Sequence, residues 1–445
     1  MKPGFDAIIV GGGFAGLSCG AALAAKGARA LLLEKKPHLG GRAYSFRDAE
    51  TGDAIDNGQH LFMGCYRQTR RFLRDIGTEP LLRFPPGLRV DFADSAGGTD
   101  ALSCPGFLPP PWNLAVGVLG MRRLSLVDKL SLLKVGSALK RHNGKGEIDR
   151  LSVRQWLRSA GCSAELQRRL LDPIALGALN DDPEIASATG LVQVLREIFL
   201  SDSESSRLGL SCVGLSELYT GAAKAAIEKA GGEVRLSSRV SRILERDGKV
   251  VGLALDSGET LETTAVVSTL APWDLSRVEM PPALRGPWEE LGSSPIISLG
   301  LWLDREALRQ PLLGLIGTEI QWVFNKSAIM EIPGPGQYLA LVISGARRHL
   351  ASGPKALLEL ALKELSACVP DFPRAGLRRW KVVKEPFATL SPVPGAEILR
   401  PEPGEGMPGF YWAGDWTRTG LPATIESAVV SGRRVAERIS AGISA

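Results

Sequence analysis

An apolar strand that runs straight into a glycine-rich turn is the feature that most constrains what this chain can fold into. Residues 6–16 read DAIIVGGGFAG, and a helical segment and a second apolar strand ending at Glu34 follow. Gly11 permits a sharp turn, Gly13 lets backbone N–H groups approach a pyrophosphate, and Gly16 lets helix and strand pack closely. The helix N-terminus then presents its partial positive charge to the phosphates. The pattern predicts a dinucleotide site in a Rossmann-type α/β domain.

Glu34 strengthens this prediction because of its position, 18 residues beyond Gly16 at the expected end of the second strand. An acid at this point accepts hydrogen bonds from a ribose diol and repels a 2′-phosphate. A glycine-rich turn that binds no ligand would carry the same glycines. Here, however, strand, turn, helix, strand and acid occur in register, which a chance turn does not explain.

Two further segments indicate which dinucleotide is bound. Residues 35–42, KKPHLGGR, carry a second glycine pair and Arg42, and residues 410–426, FYWAGDWTRTGLPATIE, read as a strand, a turn at Gly414 and Asp415, and a helix start. In these segments the sequence resembles the flavin-dependent amine oxidase and carotenoid desaturase superfamily. The resemblance implies a GR2-like FAD-binding domain. It also implies FAD contacts at Gly11, Gly13, Ala15, Gly16, Glu34, Lys35, Gly41, Arg42, Gly58, Gln59, His60, Val240, Gly414, Asp415, Ala423, Thr424 and Ile425.

The same resemblance suggests what some of these residues do. Asp415 is expected near the ribityl or phosphate region, Val240 on the adenine side, and the backbone N–H groups of residues 423–425 at the flavin pyrimidine edge. A helix N-terminus at that edge would stabilise the negative charge of reduced flavin. Cys368 is the last cysteine of the sequence, so the C-terminal covalent attachment of some amine oxidases has no candidate and non-covalent FAD is expected.

The length of 445 residues exceeds one ordinary core, so two domains are expected. The FAD segments lie far apart, which predicts an FAD-binding domain assembled from residues 1–95, 205–280 and 385–445. The intervals 96–204 and 281–384 would then form a discontinuous, mixed α+β domain that faces substrate and membrane.

Charge and cysteine usage exclude several classes of site. The net charge of +5 is too small and too diffuse to argue for nucleic acid. The six cysteines follow no C-x-x-C spacing, which argues against a zinc site, any other metal site of this type, or a disulfide framework.

The sequence has neither a signal-like start nor an apolar run long enough to span a bilayer. A cytoplasmic protein is therefore expected, peripheral on the inner face of the cytoplasmic membrane.

The membrane expectation rests on residues 105–140. The run from Pro105 to Met121 carries no charge, and Ser125 can cap a following helix with Asp128 at its third position. Two apolar edges are predicted on that helix, one formed by Leu126, Leu130 and Leu133 and the other by Leu132, Val135 and Leu139. Such a helix can lie in a bilayer interface with its lysines near anionic head groups, or it can pack against the core of the second domain.

Three segments suggest a particular branch of the superfamily. Residues 56–67, 170–187 and 413–426 resemble the squalene-associated FAD-dependent desaturases, the hydroxysqualene dehydroxylases. That resemblance implies reductive removal of a hydroxyl group from the C30 isoprenoid hydroxysqualene, giving squalene for hopanoid or related triterpene synthesis. An isoprenoid desaturase or an amine oxidase would use the same cofactor site with hydride moving toward the flavin, and a non-enzymatic flavin-stabilised binding protein is a remote alternative.

The implied chemistry sets requirements on the protein. An allylic alcohol leaves as water once it is protonated, and a hydride then quenches the cation, so a proton donor and a dry apolar channel are needed. His60 is the candidate proton donor, although a hydrogen bond to cofactor or backbone is an alternative role. Asp181, Asp182 and Glu184 are weaker candidates, because they also fit a turn before a helix around Pro183.

The channel and the electron source are less determined. Residues 170–179 and 296–303 are apolar enough to line a channel, although a buried strand describes the second stretch equally well. One glycine-rich dinucleotide unit with its acid is visible in the sequence, so no NADPH domain is expected. The electron donor is unknown, and a partner protein or free reduced flavin could serve.

Overall fold

The computed structural model describes residues 4–141, 148–404 and 406–443. The helices are α1 Phe14–Ala24, α2 Arg67–Asp75, α3 Trp112–Gly120, α4 Leu126–Arg141, α5 Val153–Ser159, α6 Ala164–Leu166, α7 Asp172–Leu179, α8 Ala188–Phe199, α9 Leu215–Lys229, α10 Pro272–Leu275, α11 Lys326–Ile329, α12 Pro354–Cys368, α13 Ala396–Leu399 and α14 Ile425–Ile443. The strands are β1 Ala7–Val10, β2 Ala30–Leu33, β3 Ser45–Arg47, β4 Ala54–Asp56, β5 Phe62–Met63, β6 Leu82–Arg83, β7 Leu88–Asp94, β8 Thr99–Cys104, β9 Leu208–Ser211, β10 Glu233–Arg235, β11 Val240–Arg246, β12 Lys249–Leu255, β13 Thr260–Glu262, β14 Val266–Ser268, β15 Ser293–Leu303, β16 Leu312–Ile316, β17 Trp322–Asn325, β18 Gln337–Ser344, β19 Leu377–Leu390 and β20 Phe410–Trp412.

The first large sheet has five parallel strands in the order β10-β2-β1-β14-β20. Strands β1 and β2 are buried along their whole length, as expected for parallel strands covered on both faces. Ile9 packs with α1, α9 and α14 on one face. Ile8 packs with the β11–β13 sheet on the other. The predicted Rossmann-type α/β fold is confirmed.

The second large sheet has seven strands in the order β19-β15-β18-β17-β16-β7-β8. Its strands are antiparallel except for the β16–β7 pair. Strand β15 alternates, with Leu299 and Leu301 in one core with α12 and Trp302 in the opposite core with α4–α8. Helices therefore cover both faces, which agrees with the predicted mixed α+β character.

Strand pairing and core packing cross the limits that the sequence predicted between the two domains. Strand β7 lies within the predicted segment 1–95 but pairs with β8 and β16 in the seven-stranded sheet. Strand β19 runs across the predicted limit at residue 385. Trp288, predicted in the second domain, packs in the core beside β1. Local sequence pattern cannot locate these limits, because long-range pairing sets them.

Residues 105–140 form α3 and α4 and combine both predicted environments. Ser125 and Asp128 cap α4 reciprocally, with the Asp128 N–H donating to Ser125 Oγ over 3.2 Å and the Ser125 N–H donating to Asp128 Oδ2 over 3.0 Å. The edge with Val135 and Leu139 is buried in the core. The opposite edge belongs to an exposed group, here called the apolar patch, consisting of Phe107, Trp112, Val116, Leu119, Leu126, Val127, Leu130 and Leu133.

Candidate functional site

A cavity of about 480 Å³, here called the cofactor cavity, lies at the carboxyl ends of β1, β2 and β14. This is the point of a doubly wound sheet where a dinucleotide binds. Of the residues predicted to contact FAD, all but Gly16 and Gly58 line this cavity. They are Gly11, Gly13, Ala15, Glu34, Lys35, Gly41, Arg42, Gln59, His60, Val240, Gly414, Asp415, Ala423, Thr424 and Ile425.

The glycine turn leaves room for a ligand and for close packing. Gly11 has φ +109°, and a Cβ on Gly16 would lie 1.9 Å from the Gly11 carbonyl oxygen, so Gly16 acts in packing and not in the cavity wall. A Cβ on Gly13 would meet no protein atom closer than Gly41 Cα, at 3.7 Å. The space in front of Gly13 is therefore open, as a bound pyrophosphate requires.

The Glu34 carboxylate is fixed at the end of β2. Its Oε2 accepts a hydrogen bond from the Gly12 N–H over 2.7 Å, and its Oε1 accepts from the Lys36 N–H over 2.9 Å. Each oxygen has a second lone pair. The buried carboxylate can therefore hold the glycine turn and still accept hydrogen bonds from ribose hydroxyls.

Arg42 and Asp415 bring the second and the last FAD segments together. Their side chains form an ion pair, and the Asp415 carboxylate is buried. The Arg42 guanidinium also lies 5.4 Å from the centre of the Trp273 ring and donates to the Ala388 carbonyl over 3.3 Å. The ion pair holds both charged groups in place, and the two charges cancel in this part of the cavity wall.

His60 lies in the cavity wall with its ring held by backbone. Its Nδ1 is 3.0 Å from the Gly58 carbonyl oxygen. Burial lowers the pKa of His60 below its ordinary value. The Asp56 charge and the hydrogen bond to Gly58 oppose this effect, while the charges of Lys326 and Arg42 add to it. Because a carbonyl only accepts, Nδ1 carries the proton and the neutral ring offers Nε2 as an acceptor. That state suits a hydrogen bond to the cofactor better than proton donation.

A buried ion pair lies beside His60. Lys326 Nζ is 2.9 Å from Asp56 Oδ2, and both side chains are almost completely buried. Asp56 also accepts a hydrogen bond from the Leu215 N–H over 3.0 Å. The pair joins β4 to α11 and so connects the surroundings of the cofactor cavity to the seven-stranded sheet.

A second cavity of about 180 Å³, here called the apolar cavity, lies next to the first and shares six lining residues with it. Its walls come mainly from β7, β8, α7 and α8, and most of its side chains are apolar. The residues that line both cavities are here called the neck, and they are Leu61, Tyr66, Gly177, Ala178, Trp322 and Thr424. A hydrocarbon chain bound in the apolar cavity would meet the cofactor cavity at the neck.

Two hydroxyl groups and one indole give the neck its polarity. The Thr424 side chain is a hydrogen-bond partner of Tyr66. Within the part of the chain that the structure describes, the buried indole N–H of Trp322 has no acceptor. Sequence reasoning missed Tyr66 and Trp322. Tyr66 is the next-to-last residue of the 56–67 segment and could have been singled out there as an aromatic hydroxyl six residues after His60, whereas Trp322 belongs to no motif.

Residues from both stretches that the sequence predicted to line a channel lie in the cavity walls. Leu170, Gly177 and Ala178 from residues 170–179 line the apolar cavity, whereas from residues 296–303 the cavity walls include Ile296, on the cofactor side. The second stretch is mainly a buried strand, which was the stated alternative.

The three weaker acid candidates line neither cavity. Asp181 accepts hydrogen bonds from Arg347 over 2.9 Å and from Ser391 Oγ over 2.6 Å. Asp182 accepts from the Glu184 N–H over 2.9 Å, and Glu184 pairs with Arg154. These acids stabilise the turn before α8, in agreement with the alternative that the sequence left open.

Three comparisons with known proteins agree with this geometry. Residues 14–440 match the family model described as flavin containing amine oxidoreductase. The chain is 30% identical to a hydroxysqualene dehydroxylase of Sinorhizobium fredii, over 96% of this chain and 97% of that protein. It is 27% identical to a 15-cis-phytoene desaturase of Solanum lycopersicum, over 98% of this chain and 78% of that protein. The solved structure of cyclohexylamine oxidase from Brevibacterium oxydans IH-35A has a similar fold, with a TM-score of 0.75 at 17% identity and full coverage of both chains.

Proposed function

The chain belongs to the family of flavin-containing amine oxidoreductases, and on this premise we propose that it reductively removes the hydroxyl group of hydroxysqualene to give squalene. It is an FAD-dependent oxidoreductase with relatives that carry the name hydroxysqualene dehydroxylase. The observation that carries the proposal is the apolar cavity, which meets the cofactor cavity at the neck. A long isoprenoid needs such a water-poor extension, and a small polar amine does not.

The protein residues divide the work between the two cavities. Bound FAD supplies a hydride when it is reduced. The glycine turn and Glu34 hold the dinucleotide end, and the N-terminus of α14 lies where it can stabilise negative charge on the ring system. The apolar cavity keeps water from the reacting carbon, so that a cationic centre is quenched by hydride and not by hydroxide.

An isoprenoid desaturase is the second candidate, because the same cavity suits a hydrocarbon and the phytoene desaturases match nearly the whole chain. The two candidates differ in the direction of hydride transfer. A dehydroxylase is reoxidised by its substrate, whereas a desaturase is reduced by its substrate.

We extend the proposal to the membrane. The apolar patch exposes Phe107 and Trp112 with fractional exposures of 86% and 66%, and Lys129 lies beside it with its Nζ 2.9 Å from the Leu119 carbonyl oxygen. Apolar side chains next to a cation suit the interface of an anionic bilayer, where substrate and product dissolve. In the described residues no helix is both long and apolar enough to cross a bilayer. The proposed location is peripheral, on the inner face of the cytoplasmic membrane, with electrons from a partner protein or from free reduced flavin.

The test is product analysis by mass spectrometry after anaerobic incubation of photoreduced holoenzyme with hydroxysqualene. We expect squalene, and with flavin deuterated at N5 we expect one deuterium at the carbon that lost oxygen. Phytoene and a saturated amine, each added to oxidised enzyme, are the matched alternatives. If either bleaches the flavin while hydroxysqualene fails to reoxidise the reduced enzyme, the desaturase or oxidase function replaces the dehydroxylase.

A further inference from the structure

We propose that Tyr66 is a catalytic residue that binds the substrate hydroxyl at the neck and donates its proton to the leaving oxygen. The inference rests on the proposed dehydroxylation and assigns its proton donor. Tyr66 lines both cavities. It is therefore placed where a chain in the apolar cavity would reach the cofactor.

The backbone of Tyr66 is held firmly at this position. Tyr66 precedes α2 as its N-cap residue. The N–H groups of Gln68 and Thr69, in the first turn of that helix, donate to the two carboxylate oxygens of Glu426 over 2.9 and 2.8 Å, and Thr69 Oγ1 donates over 2.7 Å. Because Glu426 belongs to the first turn of α14, this contact ties Tyr66 to the same helix that approaches the flavin.

Hydrogen bonds from Ser427 to Thr424 and onward to Tyr66 would leave the Tyr66 proton free. The Ser427 N–H donates to Thr424 Oγ1 over 3.3 Å, so the Thr424 hydroxyl can donate onward. Thr424 is a hydrogen-bond partner of Tyr66, and this contact lowers the phenol pKa against the larger, raising effect of burial. With its own oxygen accepting from Ser427, the Thr424 hydroxyl can give its proton to the phenol oxygen. The Tyr66 O–H can then point toward a ligand oxygen, and each bond of the chain polarises the next.

The phenol keeps its proton until substrate takes it. Burial holds the pKa of Tyr66 well above its ordinary value, and the nearby Glu426 carboxylate acts in the same direction. The neutral ring of His60 shows the opposite preference, since its free nitrogen is an acceptor. Of these two groups near the cofactor, Tyr66 is the donor.

The proposed dehydroxylation conserves atoms and electrons. The allylic C–O bond breaks with its electron pair on oxygen, and the Tyr66 proton converts that oxygen to water. Reduced FAD, bound in the cofactor cavity, would supply the hydride whose electron pair forms the new C–H bond, so the carbon would be reduced and the flavin oxidised. The Tyr66 phenolate regains a proton from solvent before the next turnover.

The first test measures binding without turnover. Oxidised holoenzyme is titrated with hydroxysqualene and with squalene, which lacks the oxygen, and the perturbation of the flavin spectrum is followed. Tyr66→Phe should weaken binding of the alcohol about three- to tenfold, the loss of one hydrogen bond, and leave squalene binding unchanged. Tyr411→Phe, a matched change in β20 that lines neither cavity, should alter neither affinity.

The second test separates proton donation from structure. Tyr66→Phe should slow reoxidation of reduced enzyme by the alcohol about 10²-fold or more. With the allylic chloride of the same skeleton, whose leaving group needs no proton, the rate should stay within about threefold of wild type. Thr424→Val, which removes the donor to the phenol but keeps the side-chain shape, should weaken the alcohol reaction in the same direction by less.

Equal alcohol affinity and equal alcohol rate in wild type and Tyr66→Phe would overturn the assignment, as would equal slowing with alcohol and chloride. If wild-type enzyme is not reoxidised by hydroxysqualene at all, the proposed reaction itself fails. The binding test then still decides whether Tyr66 recognises a hydroxyl. If Tyr66→Phe is recovered without FAD, Thr424→Val takes its place in both measurements.

Discussion

The cofactor cavity and the apolar cavity share the neck, but the chain builds them in different ways. The cofactor cavity draws its polar and glycine residues from short segments with fixed internal spacing, such as residues 11–16 and 34–42. The apolar cavity draws single side chains from several helices and strands that are distant in sequence. A phosphate needs backbone groups at set distances, so its site is encoded locally. A hydrocarbon needs only a space that other residues leave open, so its site is encoded by packing.

The largest expected effect is loss of the cofactor cavity alone. Gly13→Val fills the open space in front of the turn, so we expect FAD binding to be abolished while the apolar cavity is kept. Flavin absorbance of the purified protein measures this. Gly221→Val, at an exposed glycine of α9 with open space around it, is the control and should retain full flavin content. A yellow Gly13→Val protein with normal FAD would contradict the site.

The contact between the surroundings of the cofactor cavity and the seven-stranded sheet can be broken at the buried Lys326–Asp56 ion pair. Lys326→Met leaves the Asp56 carboxylate buried without its cation, so the free energy of unfolding should fall by about 3–5 kcal/mol. Denaturant unfolding measures the change. The double variant Asp56→Asn, Lys326→Met should recover part of the loss, because neither charge is then left uncompensated. If Lys326→Met costs no more than Lys355→Met at an exposed position of α12, the pair does not stabilise this contact.

Variants of the apolar patch test whether the apolar part of the protein also contacts a membrane. Replacing Trp112, Leu119 and Leu130 by Asp should lower co-sedimentation with anionic liposomes at least about tenfold, since each buried apolar side chain contributes roughly 1.5–3 kcal/mol. Flavin content should not change. From the sequence alone, Met121 is an equally good target, because it belongs to the uncharged run 105–121. In the structure its side chain is completely buried, so its replacement would damage the core instead. Ile398→Asp, an exposed apolar residue outside the patch, is the control. Unchanged sedimentation of the triple variant would remove the membrane proposal.

The smallest expected effect concerns His60 and pH. Its folded-state pKa is lowered below 6.5, so between that lowered value and 6.5 the unfolded chain binds more protons than the folded chain. Stability should therefore fall as pH decreases from 6.5 toward the lowered pKa, by at most about 1.4 kcal/mol per pH unit. His60→Gln should flatten this part of the curve, whereas His38→Gln should leave it in place. An unchanged slope in His60→Gln would show that His60 is not buried in its neutral form.

His60 also separates the two candidate donors. With Tyr66 as the donor, we expect His60→Ala to slow reoxidation by substrate less than tenfold. Loss of about 10²-fold with FAD still bound would instead assign the proton to His60, and loss of FAD would make it a cofactor residue.

The sequence by itself determined the Rossmann-type fold, the glycine turn that lines the cofactor cavity, and the reciprocal cap of α4. Each of these depends on a few residues within one or two turns of chain, where φ, hydrogen-bonding side chains and apolar period are set locally. It did not determine that β7 joins the seven-stranded sheet, because strand pairing is a long-range contact. It did not assign Tyr66 and Trp322 to a neck, because that space exists only after α7, β17 and α14 have packed together. The tertiary structure also decided which edge of α4 is buried, since both edges are equally apolar and only the neighbouring helices distinguish them.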